Sequence, residues 1–398
     1  MAGNQSSAGH LLALIRSGSA VTRGALQQAT GLSRSTVGNR LDALFAAGWI
    51  RDAAGTSTGG RPSVRLEFDA GHALVLAVDL DTRHARAAAL DLAGGVLAER
   101  LGELRISEGP EAVLDELGRW FAALLEETGR PAAEVCGIGL SVPGPVDWKT
   151  GRVNQPPIMP GWDGYPIRDR LQQAFARHAG GAEDVPVLVD NDANLMAFGE
   201  QRAGYPDCTA FALIKVSTGI GAGVVVDGQI FRGIDGGAGD IGHIRLHDGA
   251  DALCACGSYG CLAAVASGGA LARRLTELGV PTTSGSDVRA QLAAGQPEAV
   301  GLARDAGLRV GEVLATVVTL LNPGVLMIAG DLAGTPFLTG VREVLYQRAM
   351  PRTTAHLEVV TSRLGEHAGL AGAAAMVVEH LYAPDTADAR LAARGRKQ

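Results

Sequence analysis

The sequence predicts an α/β body of two similar lobes facing a cleft, preceded by a small winged helix-turn-helix domain. Three observations predict it. Helical periodicity fills the first 50 or so residues, strand-like and helix-like runs alternate from residue 72 onward, and that alternation opens twice on three short strands joined by tight turns. Charge divides the chain at the same place. Residues 1–70 hold seven arginines against Asp42, Asp52, Glu67 and Asp69, a balance of +3, so with −7 overall the other 328 residues carry −10. A basic module on an acidic body is the asymmetry expected when only one part meets a polyanion.

Residues 9–17, 22–30 and 33–47 read as three helices. Leu11, Leu14 and Ile15 give the first an apolar face, and Val37, Leu41 and Leu44 recur at helical spacing in the third. Between the second and third, Gly31 can take the positive φ that ends a helix and Ser33 can cap the next. The third helix then offers Ser33, Arg34, Ser35, Thr36, Asn39 and Arg40, hydrogen-bonding groups and guanidiniums suited to phosphate oxygens and base edges in a major groove. Residues 49–51 and 64–66 follow as two short strands. The uncharged run 53–60 joins them and closes on Arg61-Pro62, which makes a wing whose Arg61 can enter a minor groove. A protein-docking module is the alternative for such a helical trio, and it needs no basic wing.

In the body, 74–79, 85–90 and 96–104 read as strands, with Gly94-Gly95 as a turn, followed by a helix over 112–127 and an apolar strand over 135–140. A helix near 167–178 leads to a buried-type strand over 185–189 that ends in Asp190-Asn191-Asp192. Carboxylates at the carboxyl end of such a strand lie where open α/β sheets bind ligands. The plan then repeats. Strands over 210–216, 223–226 and 229–232, with Asp227-Gly228 as a hairpin turn, precede long helices near 267–278 and 297–321 and a strand over 325–329. The expected division is 1–70 for the DNA-binding domain, 71–382 for the body with lobes of about 71–205 and 206–382, and a disordered tail over 383–398.

The apolar content of 46% and charged content of 19% are ordinary for globular cores. No stretch of about twenty apolar residues occurs, and no basic segment leads into an apolar run with a cleavage site, so no membrane partner and a cytoplasmic address are expected. Cys136 and Cys208 stand apart among small or apolar residues and read as reduced, inert thiols. The other three cysteines do not. Cys254, Cys256 and Cys261 fall within eight residues, and His243 or His247 can complete a tetrahedral set for structural Zn²⁺. Four protein ligands leave no place for a reactive water, so the metal is expected to shape the surface without performing hydrolysis.

Five stretches in order carry a resemblance: Ser141-Val142-Pro143-Gly144-Pro145-Val146, Asp190-Asn191-Asp192-Ala193-Asn194, Ser217-Thr218-Gly219-Ile220-Gly221-Ala222-Gly223, Gly239-Asp240-Ile241-Gly242-His243, and the cysteine cluster. Together they resemble the ROK family of repressors, open reading frames and kinases, over nearly the whole chain. The resemblance implies an actin-like, hexokinase-like body and zinc on His243 and the three cysteines. It also implies a sugar pocket around Asn191 and Asp192, with Pro143, Gly144, Asp240 and His243 contributing.

Kinases of that family read Asp-x-Gly-Gly-Thr at the first hairpin. This chain reads Asp79-Leu80-Asp81-Thr82-Arg83, so both glycines are lost and a carboxylate faces any polyphosphate. Two such charges about 4 Å apart repel by about 4 kcal/mol at an effective dielectric near 20. The second loop, Thr218 to Gly221, is intact, and Asp192 remains as a vestigial base. Ala263 stands where the family commonly places a sugar-contacting Glu, and Asp240 replaces a longer Glu. The expected function is a sugar-responsive transcriptional regulator of carbohydrate metabolism or transport genes, a repressor and not an enzyme, acting as a homodimer or higher homo-oligomer on a double-stranded operator. The alternative is an ATP-dependent, glucokinase-like sugar kinase with an added DNA-binding domain.

Overall fold

Side-chain oxygens start each of the three N-terminal helices. Ser7 accepts from His10 N at α1 (Ala8–Arg16), Thr22 from Ala25 N at α2 (Arg23–Thr30), and Ser33 from Thr36 N at α3 (Arg34–Ala46), which satisfies N–H groups that the helices leave open. Leu11, Leu26, Val37, Leu41 and Leu44 meet in the domain's core. Strands β1 (Ile50–Ala53) and β2 (Arg65–Phe68) then pair antiparallel, Ile50 opposite Phe68. The computed structural model describes residues 6–53, 64–247 and 251–395. Arg61 and most of the 53–60 run therefore lie outside the described residues.

The first lobe is built on a five-stranded sheet. Strands β3 (Leu74–Leu80), β4 (His84–Leu90) and β5 (Val96–Glu103) form an antiparallel meander, and β6 (Val135–Val142) and, beyond the small β7 (Val146–Asp147) and β8 (Arg152–Val153) pair, β9 (Val187–Asn191) extend it in parallel, in the order β5-β4-β3-β6-β9. The runs Leu74 to Val78 and Ile138 to Val142 are buried on both faces, which is why they lack polar alternation. Helices α4 (Pro110–Thr128) and α5 (Ile167–Ala179) cover the outer face.

After α6 (Asp192–Gly204), the second lobe repeats the scheme with β10 (Ala210–Val216), β11 (Ile220–Val226) and β12 (Gln229–Ile230). Helices α7 (Leu262–Ala266), α8 (Gly268–Glu277), α9 (Gly285–Ala293), α10 (Pro297–Leu321), α11 (Thr335–Arg348) and α12 (Pro351–Thr354) alternate with β13 (Val325–Ala329) and β14 (Glu358–Thr361), giving the sheet order β12-β11-β10-β13-β14. Helices α6 and α13 (Ala368–Tyr382) fill the space between the two sheets. They approach closely because Gly372 has no side chain: a Cβ there would stand 1.8 Å from the Leu195 carbonyl oxygen. The result is the actin-like, hexokinase-like arrangement. Among the described residues no helix is long and apolar enough to cross a membrane.

Two expectations are corrected. The lobe division at 206–382 assigns 368–382 to the second lobe, whereas α13 packs against β3 and β6 of the first sheet. The tail expected to be disordered over 383–398 forms α14 (Pro384–Gly395), which packs along α1. Polar composition concealed its anchors: Asp388 accepts from Gly9 N at 2.8 Å, Arg394 donates to the Ala47 carbonyl at 2.8 Å, and Arg390 lies between the rings of Trp49 and Tyr382 at 4.9 and 4.7 Å.

Candidate functional site

A cavity of about 430 Å³ opens between the lobes at the carboxyl ends of β6 and β9. Pro143, Gly144, Asn191, Asp192, Asp240 and His243, the residues expected around a sugar, all line it, together with Asp81, Thr82 and the second loop from Ser217 to Ala222. Local chemistry explains their placement. Asn191 ends β9 and caps α6, its side-chain oxygen accepting from Ala193 N and its amide donating to the Gly144 carbonyl at 3.1 Å. One side chain thus fixes the Pro143–Gly144 turn against the start of α6. Gly239 adopts φ 105°, and a Cβ there would meet the Ala222 carbonyl at 2.0 Å, so the 239–243 segment lies directly against β11 and brings Asp240 and His243 to the same cavity.

The electrostatics of the cleft centre on a residue that sequence reasoning passed over. Lys215, one of three lysines in the chain, points from β10 to Asp192, with Nζ 2.6 Å from Oδ2. Asp192, Asp81 and Asp79 hold its ammonium protonated well beyond the usual lysine range, overcoming the cost of burial. Burial raises the Asp79 carboxyl, although Ser141 Oγ donates to it at 2.6 Å, and burial likewise raises Asp331. The one trace of Lys215 in the sequence is a single charge at the penultimate position of an otherwise apolar strand. Arg83 reaches Thr283 Oγ1 of the second lobe at 3.5 Å. Arg273 and Ala263 also line the cavity.

His243, Cys254, Cys256 and Cys261 converge beside the cleft. Their donor atoms all lie within 4.8 Å of one another, with His243 Nδ1 3.7 Å from Cys254 Sγ and Cys256 Sγ 3.8 Å from Cys261 Sγ. Donors bound to one tetrahedral zinc at about 2.3 Å stand about 3.8 Å apart, so the spacing fits a single metal ion. His247 is not part of the cluster. A backbone hydrogen bond at Ser258 draws the Cys256 thiol down to about 6, while burial pushes Cys261 up to about 12.

On the N-terminal domain, α3 exposes Ser33, Arg34, Ser35, Asn39 and Arg40, with Thr36 half-buried, while its opposite face enters the core. Ser33 Oγ also lies 2.9 Å from the hydroxyls of Ser35 and Thr36. Among the described residues neither Arg34 nor Arg40 has an ion-pair partner, so both guanidiniums face outward uncommitted.

The ROK family model matches residues 75–380, which is the two-lobed body. The chain belongs to the ROK family. Over its full length it is similar to the xylose repressor of Caldicellulosiruptor bescii, 29% identical across 91% of this chain and 92% of that protein. A solved ROK family transcriptional regulator, a homologue of the Escherichia coli Mlc protein, superposes with a TM-score of 0.78 at 26% identity, covering 97% of this chain and 98% of that one. A ROK family glucokinase from Streptomyces griseus, solved with glucose and AMPPNP, has a TM-score of 0.63 at 28% identity. It is covered to 98% but spans only 76% of this chain. The ROK body is therefore shared with kinases and regulators alike, and full-length coverage comes from the two regulators.

Proposed function

We propose that this chain is a sugar-responsive DNA-binding transcriptional regulator, a repressor of genes for carbohydrate metabolism or transport, acting in the cytoplasm as a homodimer on a double-stranded operator. One observation carries the reading: a basic three-helix domain with outward-facing Arg34 and Arg40 shares a continuous hydrophobic core with the ROK body. The names of the full-length relatives support it. Ser33, Arg34, Ser35, Thr36, Asn39 and Arg40 contact phosphates and base edges in a major groove, and Arg61 of the wing enters the adjacent minor groove. A sugar or sugar derivative occupies the cleft against Pro143, Gly144, Asn191, Asp192, Asp240 and His243. His243, Cys254, Cys256 and Cys261 hold a structural zinc ion, which supplies rigidity and no reactive water.

The geometry supports a mechanical route. Asp192 begins α6, α6 packs on α13 through Gly372, and α13 ends at Tyr382, whose ring stands 5.3 Å from that of Trp49. Sugar that rotates the lobes would thereby move α3 relative to its counterpart in the dimer, away from or toward the 34–36 Å or so that separates successive major grooves. Reversing a 1:99 population needs about 5.5 kcal/mol of differential sugar affinity. The kinase reading is favoured by the intact Gly219 and Gly221 beside Asp192. It is opposed by Asp81 at the first hairpin and by Lys215, whose ammonium lies 2.6 Å from Asp192 Oδ2 and occupies the oxygen that a general base would turn to a hydroxyl.

Selection of bound fragments from genomic DNA, followed by mobility shifts with and without a panel of sugars, tests the proposal. A pseudo-palindromic site should emerge, and Arg34→Ala and Arg40→Ala should each weaken its binding by about 10- to 100-fold without changing sugar titrations. Unaltered shifts for Arg34→Ala, Arg40→Ala and Arg61→Ala would end the DNA-binding assignment, and sugar phosphorylation at about 1–1000 per second would reinstate the kinase. Elemental analysis should find one zinc per chain, absent in Cys256→Ser together with a lowered Tm.

A further inference from the structure

Four carboxylates lie within electrostatic reach of one ammonium that lines the cleft. Asp79 is the penultimate residue of β3, Asp81 lies on the first hairpin, Asp192 starts α6 and Asp331 follows β13, so both lobes contribute. Lys215 interacts electrostatically with all four, and its contact with Asp192 is a direct 2.6 Å ion pair between side chains only 14% and 11% exposed. Such a group of oxygens at the meeting point of two phosphate-type hairpins would otherwise attract a divalent cation, because carboxylates in a cleft repel one another and hard cations prefer oxygen ligands. Here the ammonium already occupies the Asp192 oxygen that a metal would need. A magnesium ion binds at about 2.0–2.1 Å and demands octahedral room, which an ammonium at hydrogen-bonding distance denies it.

We propose that Lys215 is a specificity-determining residue of the cleft, a built-in cation that excludes divalent metal ions, and the nucleotide they would carry, and restricts the site to sugars bound without metal. The inference rests on the sugar-sensor reading of the cleft and identifies what makes that cleft a sensor. Lys215 Nζ retains donor capacity beyond Asp192, and the carboxylate, whose Oδ1 accepts from Ala193 N at 2.7 Å, retains lone pairs, so together they offer a donor and an acceptor to a sugar hydroxyl. Arginine at this position would keep the charge. A neutral side chain of similar length would leave the carboxylates without their counter-ion.

Binding of Mn²⁺ alone to the full-length, zinc-loaded protein, read as loss of the free-ion electron paramagnetic resonance signal, tests this. Wild type and Lys215→Arg should leave Mn²⁺ free up to about 1 mM, whereas Lys215→Met should take up one ion per chain within the range of weak oxygen-ligand sites. The added uptake should vanish in Lys215→Met/Asp192→Asn. If Lys215→Met does not fold in metal-free buffer, millimolar Mn²⁺ should restore its circular dichroism and Tm; a folding defect that metal leaves unchanged overturns the proposal. So does a folded Lys215→Met that takes up no more Mn²⁺ than wild type, and so does wild-type uptake that Asp192→Asn removes. Failure of every sugar to bind the wild type would sink the sensor reading separately, because the Mn²⁺ measurement requires no sugar.

Discussion

The body meets the N-terminal domain across apolar surface, whereas its two lobes, packed on α6 and α13 behind the cleft, face each other within the cleft through charged and polar groups. At the first contact Trp49 is fully buried against Tyr382 and Phe68 packs edge-on to the same ring, inside a core that runs without interruption from Leu11 to Val377. At the second, Lys215 pairs with Asp192, Arg83 reaches Thr283 and Arg289 reaches Glu366 at 3.2 Å. The difference teaches where movement belongs. Apolar burial is favourable in every arrangement that excludes water, so the first contact holds regardless of ligand. Ion pairs at a cleft exchange readily with the hydroxyls of a ligand, so the second is conditional. The N-terminal domain should travel as one rigid piece with α13, α14 and the first sheet.

Trp49→Ala breaks that comparison most severely. It should cost about 3–5 kcal/mol in urea denaturation, the usual loss for a fully buried large aromatic, and should weaken operator binding by loosening the platform under α3. Sugar titrations should be unchanged. A Trp49→Ala protein with normal stability and normal DNA affinity would show that the junction carries nothing.

Asp192→Asn probes the conditional contact. It leaves Lys215 without its closest partner, and because the pair retains some exposure the expected loss is smaller, about 1–3 kcal/mol. Operator affinity without sugar should survive and the response to sugar should disappear. Equal damage to DNA binding from Asp192→Asn and Trp49→Ala would erase the distinction between the two contacts.

The same contrast explains what could be read from the sequence. Repeated strand and helix runs, the turn at Gly31 and the cysteine spacing are local, and the wing strands, both meanders and the His243 cluster follow from them. The residues of the Asn191–Asp192 and Asp240–His243 stretches converge because caps and glycine contacts encoded within each stretch place them. Lys215 was illegible because its partners come from β3, the first hairpin and α6, none adjacent in sequence. The α14 helix was missed for a related reason: its Arg390, Arg394 and Asp388 look like a solvated tail until Trp49, Ala47 and Gly9 are brought beside them. Long-range pairing of charges leaves no periodic trace.

Acidity should affect the two contacts with opposite sign, and with the smallest effect of the three tests. His72 sits at the junction, Nε2 2.7 Å from the Tyr382 hydroxyl, and burial first, then repulsion from Arg390 and Arg394, lowers its pKa below the ordinary 6.5. The unfolded chain therefore takes up this proton before the folded one does. Stability from His72 is complete above 6.5 and declines as pH falls from there to the lowered folded value. His380 shifts the same way through burial and its arginine neighbours. In the cleft, Asp79 and Asp331 are raised above the ordinary 3.8, so the folded protein protonates first and gains stability as pH falls through their folded values. Urea midpoints at pH of about 7.5 and 5.5 separate these contributions, because the lower value spans the ordinary histidine range. Wild type should lose stability on acidification, His72→Gln should lose less, and His72→Gln/His380→Gln less again. An acid slope untouched by both substitutions would mean that the junction is as indifferent to protons as its apolar core is to ligand, and that the loss arises at other groups, because Asp79 and Asp331 act with the opposite sign.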